Sequence, residues 1–266
     1  MKYYLSIVIL ILFYGCSTNI PTLAERTKTA LQIDTTLEKK YRISQNFNLF
    51  SLQKVSNNCN NIRIYIEGDG LSWVNRNQIS NNPTPINPIG LKIMKNDISN
   101  CKIYLARPCQ YINSFLCEKE YWTSARFNSK IIQSYIEILT NIKKEYNNNS
   151  FTLIGYSGGA AVALITAAKR DDIKKVITIA GNLNHTKWTQ IHQITPLSDS
   201  LNPIDFTKSL KDIQQIHIIG KRDYIIPKEV TNSFLNNFSG NLKVRLITID
   251  SDHTCCFLNN YSEFNK

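Results

Sequence analysis

The stretch that decides the fold is residues 151–164, with the sequence FTLIGYSGGAAVAL. Its first four residues are aromatic, β-branched or aliphatic, which favours a buried strand. Its last five are alanine, valine and leucine, which favour a helix when they follow a turn. Between the two lies Ser157 within a Gly-x-Ser-x-Gly pattern, and glycines permit a sharp turn from strand to helix. The pattern therefore predicts that Ser157 stands exposed at the end of a strand.

Strands and helices alternate on both sides of this stretch. Short apolar runs predict strands at residues 62–66, 102–106, 151–155, 175–180, 215–220 and 242–249. The sequence also predicts helices at 129–146, at 157–169 and from near Pro227. Because the strand runs lack strict polar alternation, they indicate an α/β fold with a mainly parallel central sheet and helices on both faces.

Two segments do not fit this alternation. Residues 71–100 are rich in asparagine and proline, and residues 182–211 also depart from the regular pattern. Both follow predicted strand ends, where open α/β sheets build their binding crevices. We expect these two segments to form walls of a substrate site.

Three residues in these positions are candidates for nucleophilic catalysis. A serine hydroxyl becomes a good nucleophile only when a base takes its proton and an acid orients that base. We predict Ser157 as the nucleophile, Asp223 as the acid and His253 as the base. Asp223 follows the strand predicted at 215–220, and His253 follows the last predicted strand.

Other acids and histidines fit less well. Asp205 is the rival acid, but no strand precedes it and we expect it to cap a helix. His217 lies inside a predicted strand and is expected to pack there. His185 and His192 lie in the irregular segment 182–211, where they are expected to shape the pocket or face solvent.

Attack on an acyl carbon creates an oxyanion, which needs backbone N–H donors held in place. Gly158, the residue after the candidate nucleophile, offers one donor. The second is expected from EGDG at 67–70, with Asp69 first and Gly70 next. The alternative is that the glycines of residues 67–70 only form a turn and bind no oxyanion. The Asp69 carboxylate would repel an oxyanion if it pointed inward, so we expect it to face a polar partner.

These motifs resemble those of the α/β-hydrolase superfamily over residues 62–257, and more narrowly a group of exported bacterial serine hydrolases. Besides the candidate triad, the resemblance rests on YIEGDG at 65–70, PTP at 83–85, RPCQY at 107–111, YWT at 121–123 and SLNP at 200–203. It implies the α/β-hydrolase fold, with the triad in the chain order Ser, Asp, His. It also implies cleavage of an ester, thioester or amide through an acyl-enzyme, without a metal or an organic cofactor.

The resemblance to α/β-hydrolases also implies which cysteines form disulfides. Cys59 and Cys101 each precede one of two strands that would be neighbours, and adjacent strands lie about 4.8 Å apart, within disulfide reach. A Cys59–Cys101 bridge is therefore expected, and Cys109 and Cys117 can close the loop after the second strand. The adjacent cysteines at 255–256 form either a vicinal pair or partners for that loop, and the sequence leaves both open.

The N-terminus predicts export. A basic start precedes an apolar run at 3–14, which has the length of a signal-peptide core and is too short to span a bilayer. FYGCS at 13–17 resembles a bacterial lipobox with Cys16 as the lipidated residue, although Phe13 stands where that pattern prefers leucine. We expect a signal peptide at 1–16, a tether at 17–45 with room for one short helix, and a hydrolase domain at 46–266. Acyl chains on Cys16 would anchor the protein to a membrane, on its periplasmic or cell-surface side.

Composition narrows the function classes. The chain has 266 residues and a formal charge of +11, which alone could indicate an anionic partner. Its lysines are single or paired without interleaved aromatic residues, so nucleic-acid binding is not expected. No Cys-x-x-Cys spacing indicates a metal site. The sequence favours a serine hydrolase of small-molecule or lipid-like acyl substrates, with a non-catalytic envelope-binding lipoprotein as the alternative, and it sets no oligomeric state.

Overall fold

The computed structural model describes residues 20–112, 114, 116–255 and 257. The predicted signal peptide, Cys16 and Cys256 lie outside the described residues. The helices are α1 (Leu23–Ile33), α2 (Ile89–Lys95), α3 (Ser129–Tyr146), α4 (Gly158–Ala167), α5 (His185–His192), α6 (Thr207–Leu210) and α7 (Lys228–Leu235). The strands are β1 (Glu38–Arg42), β2 (Leu49–Val55), β3 (Asn61–Ile66), β4 (Trp73–Asn75), β5 (Gln78–Ile79), β6 (Cys101–Leu105), β7 (Ser150–Tyr156), β8 (Ile173–Ile179), β9 (Gln214–Gly220) and β10 (Val244–Ile249). Among the described residues, no helix has the length and apolarity needed to cross a bilayer.

Eight of the strands form one sheet in the order β1-β2-β6-β3-β7-β8-β9-β10. The pairs β1–β2 and β2–β6 are antiparallel, and the remaining neighbours are parallel. The mainly parallel sheet predicted from the sequence is therefore confirmed. Because parallel strands end at the same edge, the loops that follow β3, β7, β9 and β10 meet at that edge.

Helices cover both faces of this sheet. Successive residues of a strand point to opposite faces, and in β7 Leu153 and Ile154 pack in two different hydrophobic clusters. The first cluster contains α3 and α4, and the second contains α2. All ten residues of α4 are buried. The turn that begins α4 is therefore fixed against the sheet.

The predicted tether at 17–45 needs correction. Helix α1 begins with a capping box between Thr22 and Glu25, and Arg26 donates a hydrogen bond to the carbonyl of Thr84. Strand β1 then forms an edge of the main sheet. Its sequence, EKKYR, carries no apolar run because an edge strand exposes most of its side chains. Strand β2 is likewise absent from the predicted strands.

The cysteine pairs expected from the fold resemblance form disulfides. Cys59 and Cys101 join the starts of β3 and β6, with Cα atoms 5.6 Å apart. Cys109 and Cys117 close the loop after β6, with Cα atoms 5.5 Å apart. Cys255 is also disulfide-bonded. Because Cys109 and Cys117 bond to each other, they are not the partners of Cys255.

Candidate active site

The turn between β7 and α4 holds Ser157 in a strained backbone conformation. Its φ of 52° and ψ of −119° lie in a region that residues with a side chain rarely adopt. Its N–H donates a 2.9 Å hydrogen bond to the carbonyl of Ile179 in the neighbouring strand. The flanking positions have room only for glycine, because a Cβ on Gly155 or on Gly159 would overlap backbone atoms. The strand-to-helix turn predicted from the sequence is present, with Ser157 at its apex.

Ser157, His253 and Asp223 form a continuous hydrogen-bonded chain. Nε2 of His253 lies 3.1 Å from Oγ of Ser157, and its Nδ1 lies 2.9 Å from Oδ2 of Asp223. The side chains of His253 and Asp223 are only 14 % and 1 % exposed. Because β7, β9 and β10 end at one edge, the sheet brings the three predicted residues together. In this arrangement the imidazole can accept the serine proton while the carboxylate fixes its orientation.

The loop after β9 holds the Asp223 carboxylate in place. Its Oδ1 accepts hydrogen bonds from the N–H groups of Ile225 and Ile226, at 2.9 and 2.8 Å. These bonds leave Oδ2 for His253. A carboxylate with both oxygens engaged has a fixed orientation, which is what an orienting acid requires.

The rival residues lie elsewhere. Asp205 is exposed in the 3-10 helix Pro203–Phe206 and occupies the N-cap of neither this helix nor α6, so the predicted capping role is wrong. His217 is buried in β9, where Nδ1 lies 2.8 Å from Oγ1 of Thr178, and burial lowers its pKa to about 3. Within the described residues, no group of three or more His, Cys, Asp and Glu side chains could hold a metal ion.

Tyr156 holds the backbone of His253, a role that the sequence does not signal. Its OH donates a 2.9 Å hydrogen bond to the His253 carbonyl, and the two rings lie 5.3 Å apart. Burial raises the pKa of Tyr156, so the phenol keeps the proton that it donates. The residue occupies a variable position of the Gly-x-Ser-x-Gly pattern, which indicates no residue type there.

The turn after β3 orients the N–H of Asp69. In a trans peptide the C=O and the N–H point in opposite directions. The Gly68 carbonyl accepts a 2.9 Å hydrogen bond from Nε2 of Gln110, so the Asp69 N–H points away from Gln110. The Gly68 N–H is itself bound by Oε1 of Glu67, at 2.9 Å. Within the described residues the Asp69 N–H donates no hydrogen bond, which leaves it free for a ligand.

The same geometry applies to Gly158. The Ser157 carbonyl accepts from the N–H groups of Ala160 and Asn182, at 3.1 and 3.2 Å. The Gly158 N–H therefore points the other way, out of the first turn of α4. It donates no hydrogen bond within the described part of the chain. A helix N-terminus with a free N–H favours negative charge nearby.

Glu67 ties this turn to α2, another contact that the sequence does not announce. Its buried carboxylate accepts hydrogen bonds from the N–H groups of Gly68, Gly90 and Leu91 and from the hydroxyl of Tyr104. Burial raises the pKa of Glu67, and the donors oppose this effect. The first turn of α2 and the turn after β3 are thus held by one side chain.

The Asp69 carboxylate faces two arginines, as its expected polar partners. Oδ1 accepts from Arg107 at 3.0 Å, and Oδ2 accepts from Arg126 at 2.8 Å. Burial raises the pKa of Asp69, but the charges of Arg126 and Arg107 outweigh it and lower the pKa below its ordinary value. The carboxylate also lies against Gly158, where an added Cβ would overlap it. The sequence does not predict Arg126. The only indication of it is that the Asp69 carboxylate needs a cationic partner.

The PTP motif at 83–85 supports the same turn. Gly70 has a φ of 66°, and a Cβ there would overlap the Pro83 carbonyl, which accepts a 3.0 Å hydrogen bond from the Leu71 N–H. Oγ1 of Thr84 accepts a 2.6 Å hydrogen bond from the Tyr111 N–H. The motif thereby joins the segment after β3 to the loop after β6.

Helix α5, from the irregular segment 182–211, packs on the loop that carries Asp223. The Ile225 carbonyl accepts a 2.8 Å hydrogen bond from Nε1 of Trp188 and lies 3.0 Å from Nε2 of His192. The indole of Trp188 also lies under the Arg126 guanidinium, 5.7 Å from the ring centroid. His185 is buried at the start of α5, and burial lowers its pKa. Through Trp188, this segment connects the turn at Asp69 with the acid loop.

Known proteins share this architecture. The family model described as serine hydrolase (FSH1) matches residues 103–263, more than half of the chain. No curated protein sequence matches the chain. An esterase of Pyrococcus furiosus is 15% identical, with a TM-score of 0.61 over 85% of this chain and 88% of that one. Est1E of Butyrivibrio proteoclasticus is 14% identical, with a TM-score of 0.58 over 85% and 94%. The carboxylesterase CesB of Bacillus subtilis is 8% identical, with a TM-score of 0.59 over 91% and 96%. These structures show that the chain has the α/β-hydrolase fold.

Proposed function

The chain belongs to the FSH1 serine hydrolase family, and from this premise we propose that it hydrolyses a carboxylic ester or thioester through an acyl-enzyme on Ser157. The observation that carries the proposal is the hydrogen-bonded chain from Ser157 through His253 to Asp223, with separations of 3.1 and 2.9 Å. The strained backbone of Ser157 supports the same role, because it presents Oγ at the apex of the turn.

The first half-reaction forms the acyl-enzyme. Nε2 of His253 takes the hydroxyl proton as Oγ of Ser157 attacks the acyl carbon. The Asp223 carboxylate stabilises the imidazolium and holds its tautomer without being protonated itself. The imidazolium then gives its proton to the leaving alcohol or thiol. In the second half-reaction the same imidazole takes a proton from water as the water attacks the acyl carbon. The imidazolium then returns that proton to Oγ of Ser157 as the acyl–Oγ bond breaks and the acid leaves.

Two backbone donors stabilise the oxyanion formed in each half-reaction. They are the N–H groups of Asp69 and Gly158, which donate no hydrogen bond within the described residues. Donors fixed in advance cost no reorganisation at the moment of reaction, and each is worth about 10²–10³ in kcat where one has been removed elsewhere. Gln110 fixes the peptide that carries the first donor, and Glu67 fixes the preceding one through the Gly68 N–H.

The substrate belongs to the class of acyl compounds. Two of the structural neighbours are named as an esterase and a carboxylesterase, and the loop that carries Asp223 exposes Tyr224 and Ile225, whose side chains suit an apolar acyl group. Export and lipidation of Cys16 belong to the same proposal and rest on the N-terminal sequence. They would place the enzyme at a membrane, where lipid-like acyl substrates are available.

Hydrolysis of 4-nitrophenyl esters of increasing acyl length, and of matching thioesters, tests the proposal. The folded protein is expected to hydrolyse at least one of them, and Ser157→Ala is expected to abolish this activity. The exposed Ser239 offers a matched control, since Ser239→Ala changes a serine outside the site. A folded wild-type protein without activity on any ester, or undiminished activity of Ser157→Ala, would contradict the proposal and favour a binding lipoprotein.

A further inference from the structure

A buried ion cluster lies beside the two proposed oxyanion donors. It consists of Asp69 after β3, Arg107 after β6 and Arg126 before α3. The side chain of Asp69 is 19 % exposed, and those of Arg107 and Arg126 are 5 % and 8 % exposed. Charges that are largely removed from water interact strongly, so the balance of this cluster affects any charge that forms nearby.

The carboxylate is close to both donors. Asp69 supplies one of the N–H groups, and its side chain lies against Gly158, which supplies the other. An unpaired carboxylate in this position would repel the oxyanion and oppose the reaction. The two arginines neutralise it and leave the cluster net positive, which favours the oxyanion.

The arginines are themselves held in fixed positions. Nε of Arg126 donates a 2.7 Å hydrogen bond to the Thr123 carbonyl, and the guanidinium stacks on Trp188. Arg107 donates to the Arg126 carbonyl and lies over the ring of Phe127, at 5.4 Å. Among the described residues, the Nε of Arg107 is buried without a hydrogen-bond partner, which costs stability.

We propose that Arg107 and Arg126 are positioning residues that hold the Asp69 carboxylate in place and reverse the sign of the local charge, so that the site stabilises the oxyanion rather than bound substrate. This inference rests on the proposed function, because it requires an oxyanion at Gly158 and Asp69. A purely structural clamp makes a different prediction. If the arginines serve only the fold, removal of one lowers stability and the fraction of active sites but leaves kcat per titrated site unchanged.

The test is Arg126→Met made in two backgrounds, the wild type and Asp69→Asn. Turnover is counted per active site titrated with a fluorophosphonate, so that only folded sites contribute. In the wild-type background kcat is expected to fall at least about tenfold with little change in KM, as for an interaction made in the transition state. In the Asp69→Asn background the same substitution is expected to lower kcat by less than about threefold, because no uncompensated carboxylate is left. An equal loss of kcat in both backgrounds, or a loss expressed only in KM, would overturn the inference.

Arg170 provides a matched control. Its side chain is also 8 % exposed, binds the Asp172 carboxylate at 2.6 Å and stacks on Phe151, outside the site. Arg170→Met is expected to lower stability but to leave kcat per titrated site unchanged. Arg107→Met repeats the test from the second arginine, so the inference stays testable if Arg126→Met gives no folded protein. If the wild type neither labels nor hydrolyses esters, the proposed function fails and this inference with it. If the wild type does both and Arg126→Met keeps its kcat, only this inference fails.

Discussion

Nε2 of His253 lies 3.1 Å from Oγ of Ser157, although 96 positions separate the two residues in the chain. The parallel sheet accounts for this distance, because β7 and β10 end at the same edge and release their loops there. The imidazole is anchored on its other side by Asp223, and its backbone is held by Tyr156. A base fixed at both nitrogens needs no rearrangement before it accepts the serine proton.

Asp223→Asn tests the orienting acid. The amide can still accept hydrogen bonds from Ile225 and Ile226, so the fold is expected to persist. An asparagine favours the wrong imidazole tautomer, and kcat is expected to fall about 10⁴-fold, as in other triads. Asp205→Asn is the control and is expected to leave kcat unchanged. A large loss of kcat in Asp205→Asn, with a small loss in Asp223→Asn, would show that Asp205 and not Asp223 is the orienting acid.

Two neighbouring glycines are expected to respond differently to alanine. A Cβ on Gly158 would overlap the Asp69 carboxylate, whereas one on Gly159 would overlap backbone carbonyls at the end of β3. A side chain can move, so Gly158→Ala is expected to lower kcat more than stability. Backbone cannot move as easily, and Gly159→Ala is expected to destabilise the protein by about 1–3 kcal/mol. Urea unfolding and kcat per titrated site measure both effects, and the reverse ranking would contradict the described geometry.

His217 predicts a pH dependence of stability. Burial lowers its pKa from 6.5 to about 3 in the folded protein, so between these values only the unfolded chain binds a proton there. Above pH 6.5, His217 is neutral in both states and the free energy of unfolding keeps its full value. As pH falls from 6.5 toward 3, proton uptake by the unfolded chain lowers that free energy by up to about 1.4 kcal/mol per pH unit. Urea unfolding between pH 7 and 4 is expected to show a shallower slope for His217→Gln than for wild type. His192→Gln, at a half-exposed position, is the control, and equal slopes for wild type and His217→Gln would refute the prediction.

The proposed lipid anchor is tested at Cys16. In the full-length protein, Cys16→Ser is expected to move the protein from the membrane fraction to the soluble fraction, because the acyl chains provide the attachment. Substitution of Ser17, the next residue, by alanine leaves the candidate lipidation site intact and serves as control. Membrane association that persists in Cys16→Ser after a salt wash would show that something other than an acyl chain holds the protein there.

Local sequence is sufficient to predict an element when its residue pattern repeats along that element. Helix α3 has the predicted bounds, because its apolar residues recur at helical spacing and Asn128 caps its start. The candidate triad can also be predicted from the sequence, because Ser157, Asp223 and His253 each follow a strand with a clear apolar run. Each of these features depends on a few neighbouring residues.

Features that depend on tertiary contact could not be predicted in this way. Strand β1 is polar because it lies at the sheet edge, so its sequence carries no strand pattern. Arg126 lies 57 positions from Asp69, and nothing near either residue indicates their pairing. The Asp69 carboxylate indicates that some cation is needed, but only the fold determines which one supplies it. The roles of Glu67 and Tyr156 likewise depend on contacts made after the chain has folded.

Covalent labelling shows whether Ser157 is an activated nucleophile. The purified protein is treated with a fluorophosphonate, digested, and the modified residue is identified by mass spectrometry, beside Ser157→Ala and His253→Ala. We expect one adduct per chain on the peptide that contains Ser157, none in Ser157→Ala, and much slower labelling in His253→Ala. A folded wild-type protein that takes up no label, or that carries the label on another residue, would show that Ser157 is not the activated nucleophile.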